Sequence, residues 1–204
     1  MNQAAKERLL EQAPSLFARA GGITALSEDG LLSQLGLSAT EFQETFQNKD
    51  EFVTQAVRLD LDRQKREHQE LFARLQSPVE RMLGLLQHGI GEMQKAPQTD
   101  YVAVQQEHPR VWEMLMQHLA NYSAPQIHSL LNEGILLRQF RGDINIELVT
   151  KIILEQMNLI LNTNVFPPSR YNLAEVFRSI YLYYIRGICT EEGIRLAAAH
   201  FARL

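Results

Sequence analysis

The spacing of apolar residues restricts the fold of this chain more than any other feature. Several segments place apolar side chains at i, i+3, i+4 and i+7, which is one face of an α-helix, and the alternation of a β-strand is scarce. Ser38, Asn48 and Asn172 each precede a glutamate by three residues, as in a capping box, and Ser27 and Asn145 are further candidate N-caps. The pattern predicts an all-α chain of about nine helices.

Helix length changes along the chain. Between Gly22 and Asn48 the turn residues permit only short helices, whereas long helices are predicted over residues 50–76, 146–161 and 172–199. A small unit of short helices followed by long ones is typical of a recognition domain joined to a bundle. We therefore predict a three-helix helix-turn-helix domain at residues 1–49, called the head, and a helical bundle at residues 50–204, called the body.

The helix-turn-helix prediction depends on a short run of residues around Gly36. Leucines form the inner face of one helix, Gly36 makes the turn, Ser38 caps the next helix, and Phe42 and Phe46 anchor that helix to a core. A helical hairpin inside a bundle has the same spacing. The spacing by itself leaves both interpretations open.

Both ends of the chain resemble the TetR family of transcriptional regulators. In the head, the similar segments are residues 6–13, 16–21, the Leu-Gly-Leu-Ser turn at 35–38, and 46–52. In the body they are residues 143–145, 166–168, 171–176 and 185–193. The resemblance implies a homodimer that places the second short helix of each head in the major groove of a near-palindromic operator on double-stranded DNA. It also implies that the body binds a small apolar or amphipathic effector.

The resemblance assigns DNA contacts to the turn and the second short helix. The expected DNA-binding residues are Ser27, Ser38, Ala39, Thr40, Gln43, Glu44, Thr45 and Lys49.

Charge sets this head apart from the family pattern. The family usually carries Lys or Arg near position 39, Thr near 41 and Tyr near 43 and 45, where this chain has Ala39, Glu41, Gln43 and Thr45. From Gly22 to Glu51 one lysine stands against six acidic residues, a net charge of −5. Lys and Arg contacts to phosphate supply much of the affinity for DNA, although Glu and Gln can read base edges.

Pro14 is a second departure, since a proline inside a helix removes a hydrogen bond and costs roughly 3 kcal/mol. A kink near residues 10–13, or a restarted helix, is expected.

The body is rich in methionine and aromatic residues, which line adaptable pockets but more often form ordinary core. The expected pocket residues are Met82, Leu86, Met93, Tyr101, Trp112, Met116, Tyr122 and Met157. The last two predicted helices are apolar over broad faces, which suits a two-fold four-helix interface, although one face also packs inside the subunit. The expected interface residues are Ile153, Met157, Ile160, Phe177, Ile180, Tyr181 and Tyr184.

Several classes of function are disfavoured by the sequence. The six histidines form no i, i+4 pair, and there is no nucleophile elbow, phosphate-binding glycine loop or cysteine pair, so no catalytic, metal or cofactor site is expected. No apolar run reaches the length of a membrane span, and the single cysteine fits the cytoplasm. A ligand-responsive regulator is the favoured function. The alternative is a protein of this fold that has lost DNA binding and acts on a hydrophobic ligand, a lipid or a partner.

Overall fold

Helices make up the regular secondary structure of the computed structural model, which describes residues 3–95, 101–167 and 169–203. The first part of the chain forms α1 (Gln3–Glu11), α2 (Ala13–Ala20), α3 (Glu28–Leu35), α4 (Ala39–Phe46), α5 (Lys49–Arg74), α6 (Pro78–Lys95), α7 (Tyr101–Glu107) and α8 (Pro109–His118). A π-helical turn, Leu119–Ser123, leads into α9 (Ala124–Leu136), α10 (Ile146–Ile160), α11 (Leu173–Ile188), α12 (Glu191–Leu196) and α13 (Ala198–Phe201). Over the described residues no strand forms, and the predicted all-α class is confirmed.

The predicted helix starts coincide with observed caps. Ser38 and Glu41 form a reciprocal capping box at α4, and the Ser27 hydroxyl accepts a hydrogen bond from the Gly30 amide at α3. The side-chain amides of Asn145 and Asn172 cap α10 and α11 in the same way. Each cap satisfies amide groups that the first turn of a helix leaves without a partner.

The part of the chain that the structure describes contains more helical segments than the nine or so predicted, in part because the first and last predicted helices are divided. The first ends at Glu11 and restarts at Ala13, with Pro14 in the first turn of α2, where its missing N–H costs no hydrogen bond. The restart predicted at this proline is confirmed. The last predicted helix is divided at Cys189–Thr190 and again at Ala197.

The described chain divides into two compact units. The first comprises Met1–Lys65 and Lys95–Leu115, and the second Arg66–Gln94 and Met116–Leu204. The head thus lies wholly within the first unit, together with part of α5, with α7 and with most of α8. The division between head and body after residue 49 concerns function and stays a prediction.

Three phenylalanine rings lie at the centre of the first unit. Phe42 and Phe46 of α4 and Phe52 of α5 are fully buried. Their ring centroids are separated by 5.0 to 6.1 Å, the range in which aromatic pairs attract. These contacts fix the inner face of α4 and leave its other face at the surface.

The second unit has its own core, and it includes four residues predicted for a subunit interface. Ile153, Ile160, Phe177 and Tyr181 are buried among side chains of the same chain. The Tyr181 hydroxyl donates a hydrogen bond of 2.6 Å to the Ile153 carbonyl oxygen, and burial raises the Tyr181 pKa. These four residues therefore pack first within their own chain, where the broad apolar faces of α10 and α11 bury each other, and their assignment to a subunit interface stays a prediction.

Candidate functional site

The α3–turn–α4 segment is the candidate nucleic-acid interface. Gly36 ends α3 with φ = 67°, a conformation that glycine adopts without strain. The Leu37 amide then bonds back to the Leu32 carbonyl oxygen at 3.1 Å, and Ser38 begins α4. Buried Leu31 and Phe42 anchor the two short helices to one core, so both keep an outward face.

The outward face of α4 carries most of the predicted contact residues. Ala39, Thr40, Gln43 and Glu44 are exposed. Thr45 is only partly exposed, and its hydroxyl donates to the Glu41 carbonyl oxygen at 2.7 Å within the same helix. Four of the predicted residues therefore share an accessible surface.

The remaining three predicted contacts are used mainly by the fold. The hydroxyls of Ser27 and Ser38 accept hydrogen bonds from backbone amides of α3 and α4. Lys49 is partly buried at the first position of α5.

Negative charge dominates the α4 surface. The Ser38 hydroxyl donates to Glu41 Oε2 at 2.6 Å, and the Ser38 amide donates to the same oxygen at 2.9 Å. These bonds, the hydroxyl's first, lower the Glu41 pKa, so this carboxylate stays ionised at neutral pH. Glu44 adds a second exposed carboxylate.

Two basic residues of the first helices make contacts inside the head. Lys6 Nζ lies 5.4 Å from the centroid of the Phe46 ring, and Arg19 Nε donates to Gln34 Oε1 at 3.3 Å. The guanidinium of Arg19 and the ammonium of Lys6 therefore lie beside α3 and α4.

A tight turn, which no sequence pattern predicted, joins α4 to α5. Gln47 has φ = 64° and ψ = −51°, and the Asn48 amide bonds to the Phe46 carbonyl oxygen at 2.7 Å across it. This is a γ-turn, which is strained for a residue with a side chain. It places exposed Gln47 at the end of the α4 surface, beside Gln43 and Glu44 in helical register.

The predicted pocket residues separate into different environments. Met82 and Leu86 are buried in the core of the second unit, and Met93 and Met157 pack against that core. Met116 and Tyr122 belong to the same unit and are partly buried, whereas Trp112 belongs to the first unit. The Tyr101 side chain lies outside the described residues. Four of the eight thus share one apolar environment.

An exposed apolar strip runs along α10. Leu148 and Leu159 are 56% and 44% exposed, and with Ile152 they line a shallow groove. Lys151, Glu155 and Gln156 complete the lining. This strip consists of residues other than those predicted for the subunit interface.

Titratable side chains meet where α5, α6 and the π-helical turn contact one another in the second unit. His88 Nε2 lies 2.8 Å from Glu67 Oε2, and Glu92 follows His88 by four residues on α6. The His68 ring lies 4.8 Å from the His88 ring, and Tyr122 Oη lies 3.3 Å from His68 Nδ1. Glu67, His68, His88 and Glu92 are called the His–Glu cluster below.

Burial shapes the electrostatics of the His–Glu cluster. Burial, and after it electrostatic repulsion from His88 and His118, lowers the His68 pKa to about 4. The His68 imidazole is therefore neutral at physiological pH. This cluster was not predicted from the sequence, because its histidines come from separate helices. The only local signal was the His-x3-Glu spacing on α6.

Short head helices with an exposed second helix, followed by long helices, define an all-α helix-turn-helix protein. More specifically, the chain has the fold of the TetR-family transcriptional regulators. It is similar to a putative transcriptional regulator from Saccharomonospora viridis in complex with choline, with TM-score 0.75 and 16% identity over 93% of this chain and 100% of that chain. A TetR-family regulator from Agrobacterium tumefaciens gives TM-score 0.70 and 14% identity over 92% and 99%. The regulator FadR from Bacillus subtilis in complex with stearoyl-CoA gives a TM-score of 0.63 and 15% identity over 89% of this chain and 98% of that chain.

Comparison of sequences gives no further relative. No family model matches the chain, and no curated protein matches it. Within the ranges that the structure describes, no helix is both long and apolar enough to span a membrane.

Proposed function

We propose that this chain is a ligand-responsive transcriptional regulator that binds a near-palindromic operator as a homodimer in the cytoplasm. The observation that carries the proposal is the α3–turn–α4 segment. Both of its helices are capped, α4 is anchored through buried Phe42 and Phe46, and its outward face remains accessible. A helix held in this way can enter the major groove of DNA.

Base recognition would come from polar side chains on α4 rather than from arginine or lysine. Gln43 is the strongest candidate, because its amide can pair with the edge of adenine. Glu44 can accept a hydrogen bond from the amino group of cytosine. Lys49 and the basic residues of α1 and α2 would contact the phosphates.

A homodimer is the second part of the proposal, and the α10 strip supports it. Leu148, Ile152 and Leu159 form an apolar surface with polar residues at its edge, as is common at interfaces between subunits. A two-fold axis would pair this strip with its own copy. Among the residues assigned from sequence, Met157, Ile180 and Tyr184 are partly buried and remain part of the proposed interface.

A small apolar effector is the third part. The structural neighbours in complex with choline and with stearoyl-CoA support a ligand in this fold. The proposed site lies beside Met93, Met157 and Tyr122, where side chains are only partly buried. Binding there would change DNA affinity through the conformation of the body.

Fluorescence anisotropy with labelled duplex DNA tests the proposal. The DNA is the region upstream of the protein's own gene, and a random-sequence pool serves as a second source of sites. We expect submicromolar binding that weakens with salt, since phosphate contacts release counterions. Gln43→Ala should weaken specific binding by about 1–3 kcal/mol, roughly 5- to 150-fold. Lys49→Ala should reduce the slope of log K against log salt by about 0.9.

The matched control is Gln69→Ala, which removes an exposed glutamine from the C-terminal part of α5. It should bind DNA as the wild type does. If neither DNA source is bound even at low salt, the regulator proposal fails.

The charge of the head favours a second candidate function. A protein of this fold that has lost DNA binding would act through a hydrophobic ligand, a lipid or a partner protein. The net charge of −5 between Gly22 and Glu51 is the specific observation behind it. Absence of DNA binding together with binding of an apolar fluorescent probe by the body would support this alternative.

A further inference from the structure

We propose that Glu67, His88 and Glu92 form a binding site for one divalent transition-metal ion, of which Zn²⁺ is the representative. The site lies within the second unit and has no part in the DNA contacts. The inference therefore does not depend on the proposed function of the head.

The geometry of the three side chains carries the inference. Each offers one ligand atom, and these atoms all lie within 4.8 Å of one another. His88 and Glu92 are four residues apart on α6 and so project from one face of that helix, while Glu67 approaches from α5. Ligand atoms bound to one Zn²⁺ at 2.0–2.2 Å lie about 3.3–3.6 Å apart. Side-chain rotations that move the ligand atoms by about 1 Å would close the site, with no change in the helix backbones.

The donor types indicate the class of metal. One imidazole nitrogen and two carboxylate oxygens suit Zn²⁺ and neighbouring first-row ions, because imidazole is a poor ligand for Mg²⁺ or Ca²⁺. Three protein ligands leave a fourth position for water or an exogenous group.

Charge provides an independent reason. Two carboxylates face one imidazole, and all three side chains are partly buried. A divalent cation bound by both carboxylates would offset the cost of removing their two negative charges from water. Within the portion of the chain that the structure describes, this is the one group of three such side chains with this geometry.

Other histidine–carboxylate contacts in the chain show what an ordinary pair looks like. His200 lies 3.6 Å from Glu80, and His108 lies 2.7 Å from Asp50. Neither belongs to a group of three ligands with metal-binding separations. The His–Glu cluster differs because two helices supply two carboxylates to one imidazole.

Packing against the His68 ring would hold the His88 ring in place. The His68 ring packs edge-on against the His88 ring at 4.8 Å. Tyr122 Oη lies 3.3 Å from His68 Nδ1, and Gln126 Nε2 donates to the same hydroxyl at 3.1 Å. The hydrogen bonds of Tyr122 and Gln126 thus orient His68, which contacts the ligand His88 through its ring.

Metal titration of the full-length protein after dialysis against a chelator tests the inference. Zn²⁺ is titrated calorimetrically and in competition with a chromogenic chelator, and Co²⁺ is titrated while its visible absorption is recorded. We expect one Zn²⁺ per chain and a Co²⁺ spectrum of low coordination number. Glu92→Gln and His88→Gln, which preserve approximate size, should each weaken Zn²⁺ binding by at least about tenfold.

His200→Gln is the matched control, because it removes a partly buried histidine that contacts a single glutamate in the same unit. It should bind Zn²⁺ like the wild type. Circular dichroism of each metal-free variant verifies that it is folded. Absence of Zn²⁺ binding by the wild type, or equal binding by the wild type and the folded Glu92→Gln and His88→Gln variants, would overturn the inference.

Discussion

The head and the body distribute polar and apolar groups in opposite ways. In the head, Phe42 and Phe46 are fully buried and acidic residues lie outside. In the body, Leu148 and Leu159 are exposed on α10, whereas the His–Glu cluster is partly buried. Exposing apolar surface to water and partly burying a carboxylate both cost free energy. The comparison teaches that the head is held in a core that it shares with α5, α7 and α8, whereas the α10 strip and the His–Glu cluster of the body suit the second subunit and the metal ion that we propose.

The largest expected effect follows from removing an aromatic ring from the head. Phe42→Ala deletes a fully buried side chain whose ring lies 5.4 Å from Phe46 and 6.1 Å from Phe52. We expect a loss of about 3–5 kcal/mol in the free energy of unfolding. Urea denaturation followed by circular dichroism measures it.

Gln43→Ala is the control for this prediction, because Gln43 is the exposed neighbour of Phe42. Its effect should remain within about 0.5 kcal/mol. Similar stabilities of the two variants would contradict the view that the core of the first unit holds the head in place.

The second prediction tests the exposed side of the body. Leu159→Glu places a charge on the α10 strip, and in a homodimer that charge would be buried without a partner. We expect the dimer to weaken by at least about 2 kcal/mol, or roughly 30-fold in dissociation constant. Analytical ultracentrifugation over a concentration series measures the change.

Leu136→Glu provides the comparison, because Leu136 is 75% exposed on α9 and does not line the α10 groove. It should leave the dimer intact. If the wild-type protein is monomeric, the proposed interface is excluded. If the dimer tolerates Leu159→Glu, the interface lies elsewhere.

Local signals explain why the fold could be predicted from the sequence. A cap requires only a side chain and an amide two or three residues later, so Ser27, Ser38, Asn145 and Asn172 were found without tertiary information. The restart at Pro14 is equally local.

The features that could not be predicted from the sequence depend on contacts between distant parts of the chain. Apolar periodicity shows that Ile153 and Phe177 lie on a buried face, but not whether their own chain or a second copy covers that face. The α10 strip went unrecognised for the same reason. The His–Glu cluster joins residues 67 and 88 across two helices, and only the fold reveals that pairing.

The smallest expected effect concerns the acidic surface of α4. Glu44→Gln removes one exposed carboxylate while preserving the size of the side chain. Two unit charges about 7 Å apart in water interact by about 0.6 kcal/mol, so removing one repulsive charge should strengthen DNA binding about threefold at low salt. The gain should shrink as salt rises, because the Debye length falls from about 30 Å at 0.01 M to 8 Å at 0.15 M.

Glu191→Gln, in the first turn of α12 in the other unit, makes the same change in net charge and should have no effect on anisotropy titrations. If Glu44→Gln instead binds DNA more weakly, the carboxylate must make a favourable contact that outweighs its repulsion of phosphate. That result would identify Glu44 as a group that contacts a base.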